Sequence, residues 1–382
     1  MTQKVFVVRK LFFLAIFVIF FNAIGFAQQS DTLLQLMGKH LNSEGKNPVH
    51  SIQIFLSKDD LVFHEAVGLS DGEHVPASKD DQFKIASITK TMTATVILQL
   101  QEEGKLKITD PLELHLSNSK ISRVQELHFL KGEAYGKRIT LEHLLNHRSG
   151  LADLFTDSAI RFYIGEYLNK QKQWSPEKLM HTYFKYGLNK KAHFAPGEGY
   201  YYSDVNYFLL GLVIEQISGQ SLAQQFRKRI FEPLGMNSTY FEYYEDERIT
   251  GNKAHAFLGK RDITKTLNTS YDWSGGGVVS TTSDLAIFLK GLFGLKLLND
   301  PRSLERMLTM VPHTLKSGRV SNSGLGIFQY TFNGDTYFGH AGFWGSLIAY
   351  CPEKNIVFCG NLSQVNPPFK TTDFIESLIL NF

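Results

Sequence analysis

Two hydrophobic patterns divide the chain into its ends and its middle. Near both ends, apolar residues alternate with polar ones or form short runs between turn residues, which is typical of β-strands. Between about residues 86 and 319, apolar residues recur every three to four positions, which is typical of helices. We therefore predict an α/β (α+β) fold in which both chain ends form one antiparallel sheet flanked by helices, with a mostly helical segment inserted.

The predicted elements give approximate bounds for these parts. The sheet portion covers about residues 28–85 and 320–382, and the helical portion about residues 86–319. The predicted strands are 51–56, 61–68, 326–332, 335–338, 345–350 and 355–360. The longest predicted helices are 31–41, 155–168, 176–186, 205–217, 284–293 and 372–380, beside an apolar helix of about four turns that contains residues 87–100 and is closed by Gly104.

The first 27 residues have the pattern of a signal peptide. Lys4, Arg9 and Lys10 precede an apolar run from Leu11 to Phe21, and small residues at Gly25 and Ala27 offer a cleavage site. The run is short for a membrane span, which needs about 20 apolar residues. We expect a cleaved signal, a periplasmic or secreted protein at residues 28–382, and no stable membrane anchor after cleavage.

Charge and cysteine content narrow the class of protein. Without its three N-terminal basic residues the formal net charge falls from +3 to zero, and no dense basic patch with interleaved aromatic residues is present. Nucleic acid is therefore excluded as an expected partner. Cys351 and Cys359 flank a predicted hairpin turn in a register that separates them along the strands, which predicts two free, buried thiols.

One segment carries candidate catalytic chemistry. Ser87-Ile88-Thr89-Lys90 begins the apolar helix, so that the lysine lies one turn from the serine on the same face. The Ser-x-x-Lys spacing also occurs at Ser43/Lys46, Ser117/Lys120 and Ser175/Lys178, where the surroundings are polar. Only the helix after Ser87 is apolar enough to bury its lysine beside a serine nucleophile. Taken alone, the pair also fits a plain helix cap.

Three ordered motifs resemble the serine β-lactamase-like superfamily, which contains class C β-lactamases, D,D-carboxypeptidases and related esterases. Ser87-Ile88-Thr89-Lys90 matches its first motif, and Pro196-Gly197 followed by Tyr202-Ser203-Asp204 matches its second, usually Tyr-x-Asn. Gly339-His340-Ala341-Gly342 matches the third, which is Lys-Thr-Gly or His-x-Gly. The resemblance covers nearly all of residues 28–382 and implies the β-lactamase/transpeptidase-like fold.

The resemblance implies a role for each matched residue. Ser87 attacks a carbonyl and forms an acyl-enzyme, and either Lys90 or Tyr202 accepts its proton. The backbone N–H groups of Ser87 and Phe343 form the oxyanion hole, and Gly342 lets the substrate lie close along its strand. No cofactor and no metal are implied.

Two positions depart from the usual motifs. Asp204 replaces an asparagine, so the side chain loses its NH₂ donor, and a carboxylate beside Lys90 would keep that lysine protonated. This favours Tyr202 as the base. His340 replaces a permanent cation with a group whose ordinary pKa is about 6.5, so binding of a substrate carboxylate is expected to weaken as the pH rises through neutrality. Both changes argue against an efficient β-lactamase.

Several residues also have purely structural interpretations. Tyr202 lies in a run of three tyrosines and His340 in a strand, so either could be packing alone. The pair His143 and His147 lacks a third metal ligand and is interpreted as structural. Gly275-Gly276-Gly277 is interpreted as a tight turn, with cleft lining as the alternative. Phe343 and Trp344 stay open as cleft walls or sheet packing.

The leading hypothesis is a secreted serine hydrolase that acts on an amide or ester through an acyl-serine intermediate, as a D,D-peptidase or an esterase does. Its expected partner is a small-molecule or peptide substrate, including peptidoglycan-derived ones. The alternatives are a true β-lactamase and a non-catalytic penicillin-binding or sensor module on the same fold. The sequence fixes neither the acyl donor nor the oligomeric state.

Overall fold

The computed structural model describes residues 28–116, 123–168, 173–264, 266–315 and 318–382. The predicted signal peptide at residues 1–27 and the Ser117/Lys120 pair lie outside the described residues. No helix within the described ranges is long and apolar enough to cross a membrane.

Most of the helices lie between the terminal strands, and one helix lies at each end of the described chain. In chain order they are α1 (residues 28–40), α2 (Thr89–Glu102), α3 (Leu112–Leu116), α4 (Leu141–Leu145), α5 (Ala159–Leu168), α6 (Pro176–Lys185), α7 (Asp204–Ser218), α8 (Leu222–Phe226), α9 (Glu232–Leu234), α10 (Trp273–Gly276), α11 (Thr282–Phe293), α12 (Pro301–Met307) and α13 (Thr371–Leu380).

The strands concentrate at the two ends of the chain. They are β1 (Ser51–Lys58), β2 (Leu61–Gly68), β3 (Phe83–Lys84), β4 (Phe129–Leu130), β5 (Glu133–Ala134), β6 (Tyr240–Phe241), β7 (Phe257–Leu258), β8 (Arg261–Asp262), β9 (Val278–Ser280), β10 (Val311–Thr314), β11 (Val320–Ser323), β12 (Phe328–Phe332), β13 (Asp335–Ala341), β14 (Ser346–Cys351) and β15 (Ile356–Leu362).

Eight strands form one antiparallel sheet in the order β10-β11-β12-β13-β14-β15-β1-β2. The pairing of β15 with β1 joins the two ends of the chain, which confirms the predicted sheet. The C-terminal part of the sheet begins at Val311, whereas the sequence predicted that it begins at about residue 320. The short edge strands β10 and β11 contain a proline and several small polar residues, so they lack the apolar alternation from which strands were predicted.

The sheet separates two hydrophobic cores. One face contributes Ile348 and Val357 to the larger core, which contains α2, α7 and α11. The other face packs Ile54 and Phe358 against α1 and α13. Helices therefore cover both faces, as predicted, and the larger core holds the helix that follows Ser87.

The two cysteines are free and buried, as predicted. Cys351 pairs with Ile356 and Cys359 with Ile348 across the β14–β15 ladder. They also lie in different cores, Cys351 with α1 and α13 and Cys359 with α2. Side chains on opposite faces of a sheet cannot reach one another, so no disulfide can form.

Helix α2 has almost no exposed face, which makes it the central helix of the larger core. Its threonine hydroxyls remain hydrogen-bonded within this apolar setting. Thr91 donates to the carbonyl of Gly326 at 2.7 Å, and Thr93 donates to the carbonyl of Ser274 at 2.7 Å. These bonds satisfy buried polar groups and fix the helix against two other segments of the chain.

Candidate active site

Ser87 lies in a 3₁₀ turn, Ala86–Ile88, immediately before α2. The turn is held from two sides through Ile85, whose N–H donates to Val278 of β9 at 3.0 Å and whose carbonyl accepts from the Ser346 hydroxyl at 3.0 Å. Ala86 has a φ of 44°, a left-handed conformation that is uncommon for a residue with a Cβ. A strained backbone just before Ser87 is characteristic of a functional position.

The third motif packs directly against this turn. A Cβ on Gly342 would lie 2.2 Å from the carbonyl oxygen of Ile85 and 2.2 Å from the hydroxyl of Ser346. Only glycine therefore allows β13 to approach the turn that carries Ser87. Phe343 is the next residue in the chain, and its side chain lines a cavity beside Ser87 that is described below.

Lys90 is fully buried and directs its ammonium group at three partners. The Nζ atom lies 3.0 Å from Ser87 Oγ, 2.5 Å from Asp204 Oδ1 and 2.7 Å from the carbonyl oxygen of Gly275. Gly275 must be glycine, because a Cβ there would lie 2.9 Å from Asp204 Oδ1. The predicted approach of the Asp204 carboxylate to Lys90 is thus present as an ion pair.

Tyr202 approaches Ser87 from a second direction. Its hydroxyl donates to Ser87 Oγ at 2.8 Å, and its ring stacks on His147 with the centroids 4.3 Å apart. Burial, followed by the negative charge of Asp204, raises the pKa of Tyr202 well above its usual value. The phenol is therefore protonated at rest, which argues against the expectation that Tyr202 supplies a phenolate base.

Ser87 Oγ thus accepts hydrogen bonds from both Lys90 and Tyr202 in this arrangement. For Oγ to attack a carbonyl, one of these two bonds must reverse, so that the lysine nitrogen or the tyrosine oxygen accepts the serine proton. Both groups are within reach, and both alternatives remain.

Two carboxyl groups near Asp204, the buried Asp153 and the partly exposed Asp272, were missed by the sequence reasoning. Burial and then the charge of Asp204 raise the pKa of Asp153 to about 7, and the same two causes raise the pKa of Asp272 to about 7. Asp153 accepts the backbone N–H of Asp204 at 2.7 Å and so holds the start of α7. Asp272 lines the cavity. The sequence analysis considered neither residue, although Asp272 lies close to the Gly275-Gly276-Gly277 segment that it singled out.

His340 does not have the role that the sequence suggested. Its side chain is buried, its Nδ1 lies 2.7 Å from the carbonyl oxygen of Ala341, and its ring meets Phe328 edge-on. Burial and then the positive charge of Lys90 lower the pKa of His340 to about 3. The imidazole is therefore neutral through the neutral range, and the expected pH dependence of carboxylate binding is wrong. The prediction used the ordinary pKa of histidine, whereas burial decides it here.

His143 and His147, the pair that lacks a third metal ligand in the sequence, have the structural roles that the sequence analysis gave them. His143 Nδ1 accepts the N–H of Thr140 and completes the cap of α4. His147 Nδ1 lies 3.3 Å from the N–H of Ser203 and 3.1 Å from the amide nitrogen of Asn206. His147 nevertheless contacts the site, because its ring carries the stacked ring of Tyr202.

Ser87, Tyr202 and Asp204 open onto a cavity of about 890 Å³. The cavity is also lined by Gly275, Gly276, Phe343 and Trp344. The glycine segment and the Phe343-Trp344 pair are therefore both part of the cleft lining. The glycines belong to the short helix α10 rather than to a plain turn. Trp344 also packs with Ala86 and Ile263 in a small apolar cluster, so it is both cleft lining and packing.

A serine in contact with a buried lysine and a tyrosine, at the start of a core helix beside an antiparallel sheet, matches the β-lactamase/transpeptidase-like fold. The chain belongs to the Beta-lactamase family, whose family model matches residues 52–377.

Individual relatives agree with this membership. Protein flp of Staphylococcus aureus is 26% identical over 93% of this chain, and penicillin-binding protein 4* of Bacillus subtilis is 28% identical over 80% of it. The chain spans 66% of the length of each of these curated relatives, just under two thirds. The crystal structure of a D-stereospecific amidohydrolase from a Streptomyces species shares the fold, with a TM-score of 0.75 at 24% identity over 91% of this chain and 99% of that one.

Proposed function

We propose that this protein hydrolyses an amide or ester through an acyl-Ser87 intermediate, as a D,D-peptidase or an esterase does. The observation that carries the proposal is the position of Ser87 Oγ, 3.0 Å from Lys90 Nζ and 2.8 Å from Tyr202 Oη, at the edge of a cavity large enough for a substrate. The names of similar proteins, a penicillin-binding protein and an amidohydrolase, support the same kind of chemistry.

The proposed reaction has two steps. In the first, Ser87 Oγ bonds to the carbonyl carbon while its proton passes to Lys90 or Tyr202, which then delivers a proton to the departing nitrogen or oxygen as that bond breaks. In the second, water donates its proton to the same pair and attacks the acyl-enzyme, which releases the acid and restores the serine. The N–H groups of Ser87 and Phe343 are the proposed donors to the oxyanion.

A covalent probe tests the nucleophile directly. A small fluorophosphonate is expected to label the wild-type protein, and Ser87→Ala is expected to abolish labelling. Ser43→Ala is the matched control, because Ser43 belongs to another Ser-x-x-Lys pair but lies at an exposed position. Labelling that survives Ser87→Ala contradicts the proposal.

A panel of substrates then separates the candidate activities. D-Ala-D-Ala peptides, D-amino-acid amides and short-chain esters cover the peptidase and esterase alternatives. Nitrocefin turnover would instead identify a true β-lactamase, which the replacement of an amide by Asp204 disfavours.

A slowly reacting penicillin-binding or sensor module is the second candidate function. The ion pair between Lys90 and Asp204 favours it, since a lysine held as an ammonium is a poor base for deacylation. Such a protein would give a stoichiometric burst with an activated ester and then almost no turnover. Sustained turnover after the burst would support the hydrolase instead.

We also propose that the protein is exported to the periplasm or secreted. The basic residues and apolar run within residues 1–27 support this proposal. The test is N-terminal sequencing of the protein from the exported fraction, which is expected to begin near residue 28. An intact Met1 on protein found only in the cytoplasm would contradict it.

A further inference from the structure

The lining of the cavity beside Ser87 is largely apolar, with a smaller polar part. The polar part comes from Ser87, Thr156, Tyr202, Asp204, Arg261 and Asp272. Large apolar side chains form much of the rest, and we call Ile160, Tyr163, Ile164, Leu258 and Phe343 the apolar wall.

These wall residues are unusual because they are also exposed to solvent. Ile160 is 79% exposed, and Ile164 and Phe343 are each 55% exposed. They come from α5 and from the turn after β13, and Leu258 adds a third segment, β7. One exposed apolar side chain is ordinary, but several from distant segments around one opening form an apolar patch, which marks a binding site.

Helix α5 shows how the patch is built. Phe162 is buried and packs against Phe155, Trp174 and Tyr271. Ile160 and Ile164 are one turn apart and therefore share a face of the helix, and both line the cavity. Phe162 is therefore used for packing, Tyr163 both packs on Tyr271 and lines the cavity, and Ile160 and Ile164 line the cavity.

We propose that the substrate is a carboxylic ester or amide with an extended apolar chain, whose carbonyl lies at Ser87 and whose chain runs along this wall toward the opening. This inference rests on the proposed acyl-Ser87 hydrolase and adds the chemical class of its substrate. A short polar peptide would leave the apolar side chains of Ile160 and Ile164 in contact with water. An alkyl chain instead removes the same side chains from water.

Two series of esters test the inference and show on which side of the carbonyl the chain binds. In the first, p-nitrophenyl esters from acetate to octanoate vary the acyl chain. In the second, acetate esters from ethyl to octyl vary the alcohol. All are used below the concentration at which they aggregate. In one series, kcat/KM is expected to rise about fourfold for each methylene that the wall buries.

Substitutions in the wall test whether these residues cause the increase of kcat/KM with chain length. Ile164→Asp is expected to lower the ratio of octyl-chain to two-carbon kcat/KM about tenfold or more, because it places a charge beside the chain. Leu114→Asp is the matched control, since Leu114 is 66% exposed on α3 and is not among the cavity-lining residues. Its ratio is expected to equal that of the wild type.

The possible results separate the inference from the function on which it rests. Flat slopes in both series, with Ser87 still labelled by the fluorophosphonate, would overturn the substrate class and leave the hydrolase standing. A slope that Ile164→Asp does not change would also overturn it. Adsorption to phosphatidylcholine vesicles together with flat slopes would assign the patch to a membrane surface instead. Loss of labelling would refute the hydrolase itself.

Discussion

The reaction centre and the apolar wall share one cavity, but they differ in how their residues depend on one another. At the reaction centre, Lys90 is completely buried, and each of its three hydrogen bonds goes to a different segment of the chain. In the wall, Ile160 and Ile164 are exposed, and neither satisfies a polar group.

The two regions differ in how a substitution affects the groups around it. Removing one member of a buried polar cluster leaves its partners unpaired, so the cost includes groups that were not mutated. Removing an exposed apolar side chain changes only the surface that a ligand would cover. Substitutions at the reaction centre should therefore be strongly coupled, and those in the wall nearly additive.

The largest effect is expected at Tyr202. Tyr202→Phe removes one of the two groups that can exchange a proton with Ser87, so kcat/KM should fall about 10²–10⁴-fold. Tyr201→Phe is the matched control, because the neighbouring hydroxyl donates to Asp157 at 2.9 Å instead of to Ser87. Steady-state kinetics on an activated ester measures both variants. Equal losses in the two would contradict a catalytic role for Tyr202.

Lys90 should reveal the coupling in stability. Lys90→Met leaves the Asp204 carboxylate without its ion-pair partner, which should cost about 3–5 kcal/mol in the free energy of unfolding. Adding Asp204→Asn should recover part of this loss, because the unpaired charge is then removed. Urea unfolding of the two single variants and the double variant measures the coupling. Strictly additive losses would show that the pair is independent.

The position of Asp272 near the charge of Asp204 should make the free energy of unfolding depend on pH. The pKa of Asp272 is raised to about 7, so the folded state retains a proton that the unfolded state has lost. The contribution of Asp272 to stability therefore falls as the pH rises from about 4 to 7. Asp272→Asn should be more stable relative to the wild type at pH 8 than at pH 5, by about 1–2 kcal/mol after allowance for partial exposure.

Urea unfolding at the two pH values measures this difference. A relative stability that is the same at pH 5 and pH 8 would contradict a pKa of Asp272 raised by burial and by the charge of Asp204.

The smallest effect is expected at His340 and has the opposite sign. Burial lowers its pKa to about 3, so the unfolded state binds a proton that the folded state excludes. Stability is therefore lost as the pH falls from about 6.5 toward 3. His340→Gln should lower the midpoint of acid unfolding by about 0.3–0.5 pH unit. Circular dichroism during acid titration measures the midpoint, and an unchanged midpoint would contradict a buried neutral imidazole.

The sequence predicted the parts of this site that local spacing defines. Ser87 and Lys90 are one helical turn apart, and the motif order brought Tyr202 and Asp204 to them. What it missed depends on burial, which only the folded chain defines. The sequence analysis assigned the ordinary histidine pKa to His340, because a strand that contains both polar and apolar residues does not indicate that one of its side chains is completely buried.

The fold was predicted with the same strengths and gaps. The strands from β12 to β15 either alternate or form short apolar runs and are separated by turn residues, so they were found. The two-residue strands β3 and β6 were not, because so short a segment has no period to detect. They matter nonetheless, since β3 pairs with β9 and leads the chain into Ser87.

The contact between Gly342 and the Ile85 carbonyl has a consequence for redesign of this enzyme. Because a Cβ at Gly342 would clash with the Ile85 carbonyl, and because the Ser346 hydroxyl donates a hydrogen bond to that carbonyl, the position of the turn that carries Ser87 depends on the sheet. Lengthening the connection between β13 and β14 would therefore misalign Ser87. The wall formed by α5 and the β7–β8 hairpin has no such constraint, and it is where selectivity can be engineered without disturbing the chemistry.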